Sequence, residues 1–287
     1  MLSGGGDRLA QAGTRIGINA HLLSQVSGYR RAGIHQYIVQ VLRNLPLIGS
    51  DSSYQVYTSA STALDEREGF HIALSSWPTE QRLMRILWEQ TALPLEAARD
   101  KIDLLHSMAF VTPLFGRVPA VVTVFDLSFV HYPEKFPALQ RAYLQSQTNR
   151  SVRQARRVIT ISESSRRDVH KFFGVPIDHI DVVFPGVEAR YRLLAESEML
   201  EFRERNALNR PFLLHVGTLQ PRKNYVNLIR AFSRLNLEAQ LVIAGGRGWL
   251  YESILAEAEK HPSRVLVLGY VDEEDLPALY RGASVFA

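Results

Sequence analysis

The chain has 287 residues, of which 46% are hydrophobic and 22% are charged, a composition typical of a globular protein at a length that favours two domains over one. The absence of cysteine excludes disulfides and thiolate sites and fits a reducing compartment, and the net charge of +4 favours an anionic ligand or surface. No apolar run reaches the roughly 18 to 20 residues of a membrane span, and residues 1–14 are predicted to be a loose polar leader without the apolar core of a secretory signal. These features predict a cytoplasmic protein.

The first part of the chain alternates between short apolar runs, which predict buried strands, and apolar residues at helical spacing, which predict helices. We predict strands at 15–20, 54–58, 70–74, 102–107, 120–125, 158–161 and 181–184. The predicted helices are 34–45, 81–98 with an interruption at Pro94, 137–157, and one that begins after the capping residue Ser162. This pattern predicts a first domain over residues 1–187, followed by a polar linker at 188–210.

The second part repeats the alternation more regularly. We predict strands at 212–216, 240–244, 264–268 and from Ala283 onward, separated by helices at 224–235, 249–260 and 273–281. Such a pattern requires a parallel, doubly wound sheet. Residues 211–287 are therefore predicted to form a second α/β domain.

Two cations stand where the first strand of this second domain leads into a helix. Gly217 and Pro221 end the apolar run, and Arg222 and Lys223 follow directly. Positive side chains at this end of a helix oppose the helix dipole, unless an anion lies between them and the free backbone N–H groups. A pair of solvated loop charges is the alternative, but the flanking strand and glycine favour an anion site.

Several segments resemble the family-four retaining glycosyltransferases. The likeness is clearest in GTLQPRKNYVNLIRAF (217–232), which is similar to the donor-loop signature of that family, and it extends to RRAGIHQYI, LWEQ, VFDLSFVHYPEKFP, VITISESSRRDV and the turn Pro-Gly-Val at 185–187. The resemblance implies a GT-B fold, which consists of two Rossmann-like doubly wound domains facing a cleft, with the first on the acceptor side. It also places an acidic donor-sugar segment beyond Ala287, so we expect the second domain to be incomplete and this truncated chain to be inactive.

The resemblance also implies residues for donor binding. Arg222 and Lys223, beside Gly217, correspond to the cations that hold the donor diphosphate. Gly33 is expected near the donor phosphates. Tyr270 and Val271 are expected to contact the nucleobase through their backbone, and the Trp88 side chain of LWEQ is expected in the core.

A glycine pair offers a second possible phosphate loop. Gly245 and Gly246 follow a strand and precede a helix, but Tyr251 stands where the motif G-x-G-x-x-G needs its last glycine. This departure argues against a dinucleotide-dependent dehydrogenase. We expect the two glycines to shape a turn beside the nucleotide.

The candidates for the reaction centre lie at strand ends of the first domain, where open α/β sheets bind ligands. Asp126 could orient an acceptor hydroxyl or cap the following turn, and His106 could act on substrate or be a hydrogen-bonded structural histidine. The family usually has a histidine directly before the aspartate, and this chain has Phe125 there. The family's assignment of that histidine to acceptor binding therefore does not carry over, although Phe125 could form a wall of the pocket.

No cofactor or metal site is predicted. The sequence contains neither Asp-x-Asp nor His-x-x-x-His spacing, so the departing nucleoside diphosphate would be stabilised by fixed cations and helix N-termini. The resemblance implies a nucleotide sugar as substrate, with GDP-mannose as the expected donor, and a glycan or lipid-linked acceptor. Other GT-B enzymes, such as a sugar-nucleotide epimerase or a phosphorylase, and a nucleotide-binding fragment without activity remain alternatives.

One surface is predicted to touch a membrane. The predicted helix 137–157 carries five arginines and no acidic residue between them, namely Arg141, Arg150, Arg153, Arg156 and Arg157. Such a run is often only a solvated face, but guanidinium groups also bind phosphate in a bidentate way. We therefore expect peripheral contact with the inner membrane face along this helix, and no nucleic-acid binding.

Overall fold

The structure is a computed structural model that describes residues 13–23, 33–48, 51–59, 69–206 and 208–287. The chain divides into two units. The first contains the described residues of 13–23 and 34–184, and the second contains 185–287 together with Gly33. Most of the predicted leader, residues 1–12, lies outside the described residues.

The first unit is built on a seven-stranded parallel sheet. Its strands are β1 (Arg15–Asn19), β2 (Ser53–Thr58), β3 (Phe70–Leu74), β4 (Leu104–Ser107), β5 (Ala120–Val124), β6 (Arg157–Thr160) and β7 (Ile180–Val182). Their order is β3-β2-β1-β4-β5-β6-β7, so all seven predicted strands are confirmed within a few residues. The order reverses between β1 and β4, which is the position where sheets of this kind bind ligands at their carboxyl edge.

Helices cover this sheet. They are α1 (Ile34–Asn44), α2 (Arg82–Gln90), α3 (Ala92–Arg99), α4 (Ser128–His131), α5 (Ala138–Gln154) and α6 (Glu163–Phe173). The helix α1 packs Ile38 and Leu42 against Ile18 of β1, whereas α2 and α3 pack Trp88 and Leu93 against another part of the sheet. Ser162 caps α6 as predicted, with its side chain accepting a hydrogen bond from the Ser165 N–H group.

The second unit contains a four-stranded parallel sheet in the order β10-β9-β8-β11. Its strands are β8 (Phe212–Val216), β9 (Gln240–Ala244), β10 (Val265–Gly269) and β11 (Val285–Phe286), and its helices are α7 (Glu196–Arg205), α8 (Tyr225–Ser233), α9 (Glu252–Ala258) and α10 (Leu276–Gly282). Alternate residues of β9 face opposite clusters: Leu241 and Ile243 pack with α8 and α9, and Val242 and Ala244 pack with α7 and α10. This sheet is therefore covered on both faces, as the apolar runs predicted.

The segment predicted as a linker is partly structured. Residues 196–205 form helix α7, and Phe202 of that helix packs with Phe212 and Leu214 of β8 in a buried cluster. The prediction of a polar linker over 188–210 is therefore wrong for the helix. Most residues of α7 are charged, which favoured a linker in the sequence analysis. A helix that covers one face of a sheet needs only a narrow apolar stripe, so a charged sequence can still form one.

The predicted helix 81–98 is two helices, and the break falls at Thr91 rather than at Pro94. The Thr91 hydroxyl donates to the Leu87 carbonyl at 2.6 Å, and α3 begins at the next residue. Pro94 then lies in the first turn of α3, where its missing N–H group costs no hydrogen bond.

The arginine helix does not form a single basic face. The helix α5 ends at Gln154, and Arg157 is the first residue of β6, where its guanidinium donates to both carboxylate oxygens of Asp181 at 2.9 and 2.5 Å. At about 100° per residue, Arg141 and Arg150 lie on opposite sides of α5. The prediction of one arginine surface along 141–157 is therefore wrong, and membrane contact by this part of the chain stays a prediction. Among the described helices, none is both long and apolar enough to cross a bilayer.

Candidate functional site

Three loops meet at one edge of the second sheet. Because β8, β9 and β10 are parallel neighbours, the residues that follow their carboxyl ends lie along the same edge. Gly217 follows β8, Gly245 and Gly246 follow β9, and Tyr270 follows β10. The structure thus places most of the predicted donor-binding residues on one side of the second unit.

Backbone hydrogen bonds join these loops to one another. The Gly217 N–H group donates to the Ala244 carbonyl at 2.8 Å, and the Leu219 N–H group donates to the Gly246 carbonyl at 2.9 Å. The Gly245 N–H group in turn donates to the Gly269 carbonyl at 2.6 Å. The glycine loop after β9 is therefore the middle of a continuous backbone network rather than an independent turn.

Glycine is required at position 245 for a steric reason. A Cβ atom there would lie 1.8 Å from the Gly217 carbonyl oxygen, and the residue has a φ of +155°. The absence of a side chain lets the β8 and β9 loops approach each other closely. This finding agrees with the turn-shaping role that the sequence predicts for Gly245.

Lys223 and Tyr225 converge on Gly217. The Tyr225 hydroxyl donates to the Gly217 carbonyl at 2.5 Å, and a Cβ atom at Gly217 would lie 3.2 Å from that hydroxyl and 3.8 Å from Lys223 Cε. The Lys223 stem therefore runs past the glycine, with the lysine exposed to solvent. The sequence did not single out Tyr225, although its place directly after the cations was visible.

The charge of Lys223 also reaches His215 in β8. Burial lowers the pKa of His215 below its ordinary value, the hydrogen bond to the Ala287 carbonyl opposes this effect, and the positive charge of Lys223 lowers the pKa further. The imidazole packs edge-on against Tyr225, with ring centroids 4.6 Å apart. A neutral histidine and a cation therefore share this corner of the site.

The two cations lie just before the helix rather than in it. Pro221–Lys223 form a short 3-10 turn, Asn224 follows with a left-handed φ of +59°, and α8 begins at Tyr225. The predicted helix start at residue 224 is thus one residue early. Arg222 and Lys223 are both exposed in this turn, beside the loops described above.

Three further residues are predicted to contact the donor, namely Gly33, Tyr270 and Val271. Tyr270 is 40% exposed, and Val271 packs against the cluster that contains Leu214. Gly33 lies directly before α1 with a left-handed φ of +52°. Their proposed contacts with nucleobase and phosphate stay predictions.

His106 is hydrogen-bonded within the first unit. Its Nε2 atom lies 2.9 Å from the Thr123 hydroxyl of the neighbouring strand, and burial lowers its pKa to about 4. The imidazole is therefore neutral at pH 7. The structural alternative for His106 has direct support in this bond, and a role toward substrate stays a prediction.

Asp126 has the geometry of a cap. One of its carboxylate oxygens accepts a hydrogen bond from the Ser128 N–H group at 2.8 Å, at the start of α4. Its role toward an acceptor hydroxyl stays a prediction beside this observed one. Phe125, the preceding residue, is 8% exposed and packs edge-on against Tyr37 at 5.0 Å and near Phe110 at 5.9 Å.

A buried polar group near the end of β1 was not predicted. Asn19 and Glu89 are each 7% exposed, and the Asn19 amide donates to the Glu89 carboxylate at 3.2 Å. The sequence signal was present in LWEQ, where the glutamate follows a core tryptophan. In the described part of the chain, no group of histidine and carboxylate side chains has the arrangement of a metal site.

Comparison with known proteins identifies the two halves separately. Residues 17–191 match the sequence model described as Glycosyltransferase Family 4, and residues 197–287 match that described as Glycosyl transferases group 1. The chain is 31% identical over 199 residues to O-antigen chain mannosyltransferase B of Escherichia coli, a match that covers 66% of this chain and 52% of that protein. The chain spans about half the length of the curated relatives it matches.

Solved structures share the architecture. Sucrose-phosphate synthase from Thermosynechococcus elongatus superimposes with a TM-score of 0.71 at 16% identity, over 95% of this chain and 74% of the other. Anabaena HepE, solved in complex with UDP-glucose, gives a TM-score of 0.66 at 17% identity, over 95% and 72%. At these identities the likeness shows the fold alone, and that fold is GT-B, with two Rossmann-like units, as predicted.

Proposed function

Because this chain belongs to glycosyltransferase family 4, we propose that the protein transfers a hexose from a nucleotide sugar to a glycan or lipid-linked acceptor. The second unit binds the donor at the edge where its three loops meet. The first unit carries the acceptor side, with Asp126 and His106 at the carboxyl ends of its strands. The anomeric configuration of the sugar is retained, a step that rests on the resemblance to the retaining enzymes.

The observation that carries this proposal is the cationic turn beside the loop network. Arg222 and Lys223 lie in the exposed turn between β8 and α8, and the Lys223 stem passes over Gly217. A nucleoside diphosphate gains negative charge as it departs, and fixed cations close to exposed loop backbone stabilise such a charge. Arg222 and Lys223 therefore hold the diphosphate in the ground state and stabilise it further as it leaves.

Mannose is the proposed sugar and GDP the proposed carrier. The support is the 31% identity to O-antigen chain mannosyltransferase B of Escherichia coli. The nucleobase lies along Tyr270 and Val271 in this proposal, where backbone groups contact it. With backbone contacts, the shape of the loop determines which nucleobase is bound, and the identity of the side chains matters little.

A donor panel on the complete protein tests the proposed function. GDP-mannose, UDP-glucose and ADP-glucose are each supplied with a lipid-linked glycan acceptor, and the released nucleoside diphosphate and the extended glycan are measured together. We expect GDP release coupled to mannose addition. Sugar phosphate formed with inorganic phosphate as acceptor would indicate a phosphorylase instead, an altered sugar nucleotide an epimerase, and binding without turnover a nucleotide-binding protein.

We also expect transfer to need no metal ion. With the charge of the leaving group carried by Arg222 and Lys223, the rate in excess EDTA should match the rate with added magnesium within about twofold. Transfer is measured with the preferred donor after dialysis against chelator. Activity that is lost and then restored by Mg²⁺ or Mn²⁺ would contradict stabilisation by side chains alone.

A further inference from the structure

The segment Trp88-Glu89-Gln90 ends helix α2 and holds both loops that leave the centre of the first sheet. We propose that this segment, called here the WEQ segment, positions the turn after β1 and the loop after β4 for the transfer reaction. Glu89 is its central positioning residue and acts through Asn19. This inference rests on the proposed function for its catalytic consequence only, since the contacts themselves belong to the first unit.

The contact of Glu89 fixes the turn after β1. Its carboxylate accepts a hydrogen bond from the Asn19 amide at 3.2 Å, and the other end of that amide, Oδ1, accepts from the His21 N–H group at 3.3 Å. The Glu89 carboxylate therefore orients the Asn19 amide, and the oxygen of that amide holds the backbone N–H group of His21. Loss of Glu89 would leave the Asn19 amide buried and free to rotate.

Trp88 fixes the same turn by packing against the side chain of His21. Trp88 is fully buried, and its ring lies 3.7 Å from that of His21, centroid to centroid. His21 also bonds through Nδ1 to the Thr79 hydroxyl at 2.6 Å. Burial, with a smaller effect from the positive charge of Arg85, lowers the pKa of His21 to about 3. The imidazole is therefore neutral at pH 7, and its contacts with Trp88 and Thr79 hold it in place.

The Gln90 contact fixes the other loop. Its side-chain oxygen accepts from the Leu114 N–H group at 3.0 Å, and its amide donates to the Thr112 carbonyl at 3.4 Å. The same loop is tied to α5, because the Thr112 N–H group donates to the Ser151 hydroxyl at 3.0 Å. Three consecutive residues thus hold two loops at the carboxyl edge of one sheet.

The burial of Glu89 indicates a role beyond stability. Glu89 is 7% exposed, and the Asn19 amide donates to its carboxylate at 3.2 Å. A buried carboxyl group costs folding free energy that an apolar side chain would not. Burial also raises its pKa, which favours the neutral acid. The positive charge of Arg85 and the hydrogen bond from Asn19 oppose this effect. The proposal assigns to residue 89 the role of a hydrogen-bond acceptor for the Asn19 amide at the position of Oε1.

The test compares four variants of the complete protein, Glu89→Ala, Glu89→Gln, Asn19→Ala and Gln90→Ala, with Glu96→Ala on α3 as the matched control. The first readout is amide hydrogen exchange, which needs no activity. We expect faster exchange at residues 20–23 in Glu89→Ala and Asn19→Ala, and faster exchange at residues 112–116 in Gln90→Ala. Glu89→Gln should match the parent, because the glutamine oxygen still accepts from Asn19.

The second readout is kcat and KM for nucleoside diphosphate release. We expect kcat/KM to fall about tenfold to a hundredfold in Glu89→Ala, as for displaced positioning groups, and to stay within about threefold in Glu89→Gln and Glu96→Ala. Parent-like exchange at 20–23 in both Glu89→Ala and Asn19→Ala would overturn the proposal. So would equal losses in Glu89→Gln and Glu89→Ala, since the charge itself would then be used. A parent protein that transfers no sugar would contradict the proposed function and leave the exchange result to decide the positioning role.

Discussion

Replacing Lys223 with alanine is expected to lower turnover by about a hundredfold to a thousandfold, the usual cost of removing one group that stabilises charge in a transition state. The variant removes a cation whose stem passes over Gly217 at the edge where the three loops meet. Because the lysine is exposed, we expect the unfolding free energy to change by less than about 0.5 kcal/mol. Steady-state kinetics of the complete protein, donor affinity by calorimetry and a thermal melt measure the three quantities.

Two comparisons separate charge from packing in this experiment. Lys223→Arg keeps the positive charge and should recover a large part of the donor affinity, whereas Lys171→Ala, which removes an exposed lysine of α6, should leave affinity unchanged. The pKa of His215 offers a check that needs no donor. Lys223 lowers that pKa, so it should rise in Lys223→Ala when followed by NMR, and an unchanged donor affinity in the folded variant would contradict the diphosphate role.

The sequence was sufficient to predict the two sheets and the edge that carries the candidate site. Apolar runs of four or five residues locate β8 and β9 without error in their bounds, because a strand buried on both faces has little freedom in composition. The glycines at 217 and 245 were visible for a related reason. At position 245 the close approach of the Gly217 carbonyl oxygen leaves no room for a side chain, and only glycine satisfies it.

The sequence-based predictions were wrong where tertiary contacts determine the secondary structure. The helix α7 has one narrow apolar stripe, so its charged surface resembles a linker until Phe202 is seen against β8. Arg157 continues the arginine pattern of α5, yet it starts a strand and pairs with Asp181, 24 residues away. Neither contact has a signature in local spacing.

The buried polar groups could not be predicted for the same reason. Glu89 stands next to Trp88 in the sequence, but its partner Asn19 is 70 residues away. His106 and Asp126 were predicted as site residues because they stand at the ends of strands. That rule locates the edge of the sheet but does not identify the partner of either side chain. The contacts with Thr123 and with the Ser128 N–H group required the structure.

Gly245→Ala is expected to abolish measurable donor binding and to destabilise the second unit. The added methyl group would lie 1.8 Å from the Gly217 carbonyl oxygen, far inside any van der Waals contact, so the loops after β8 and β9 must separate. Overpacking of this kind costs about 3 kcal/mol at its upper range. The separation would also strain the bond from the Gly217 N–H group to the Ala244 carbonyl, and with it the turn that carries Arg222 and Lys223.

The measurement is urea unfolding followed by amide hydrogen exchange within residues 212–287, which separates the second unit from the first, together with donor calorimetry. Gly186→Ala is the matched control, because no described atom lies within 4 Å of a Cβ at that position. The control should match the parent in both readouts. Parent-like stability and donor affinity in Gly245→Ala would mean that the two loops are free to move apart without loss, and that the donor does not depend on the network that joins them. A loss of affinity alone, with unfolding unchanged, would place the effect of the methyl group on the donor itself rather than on the loops.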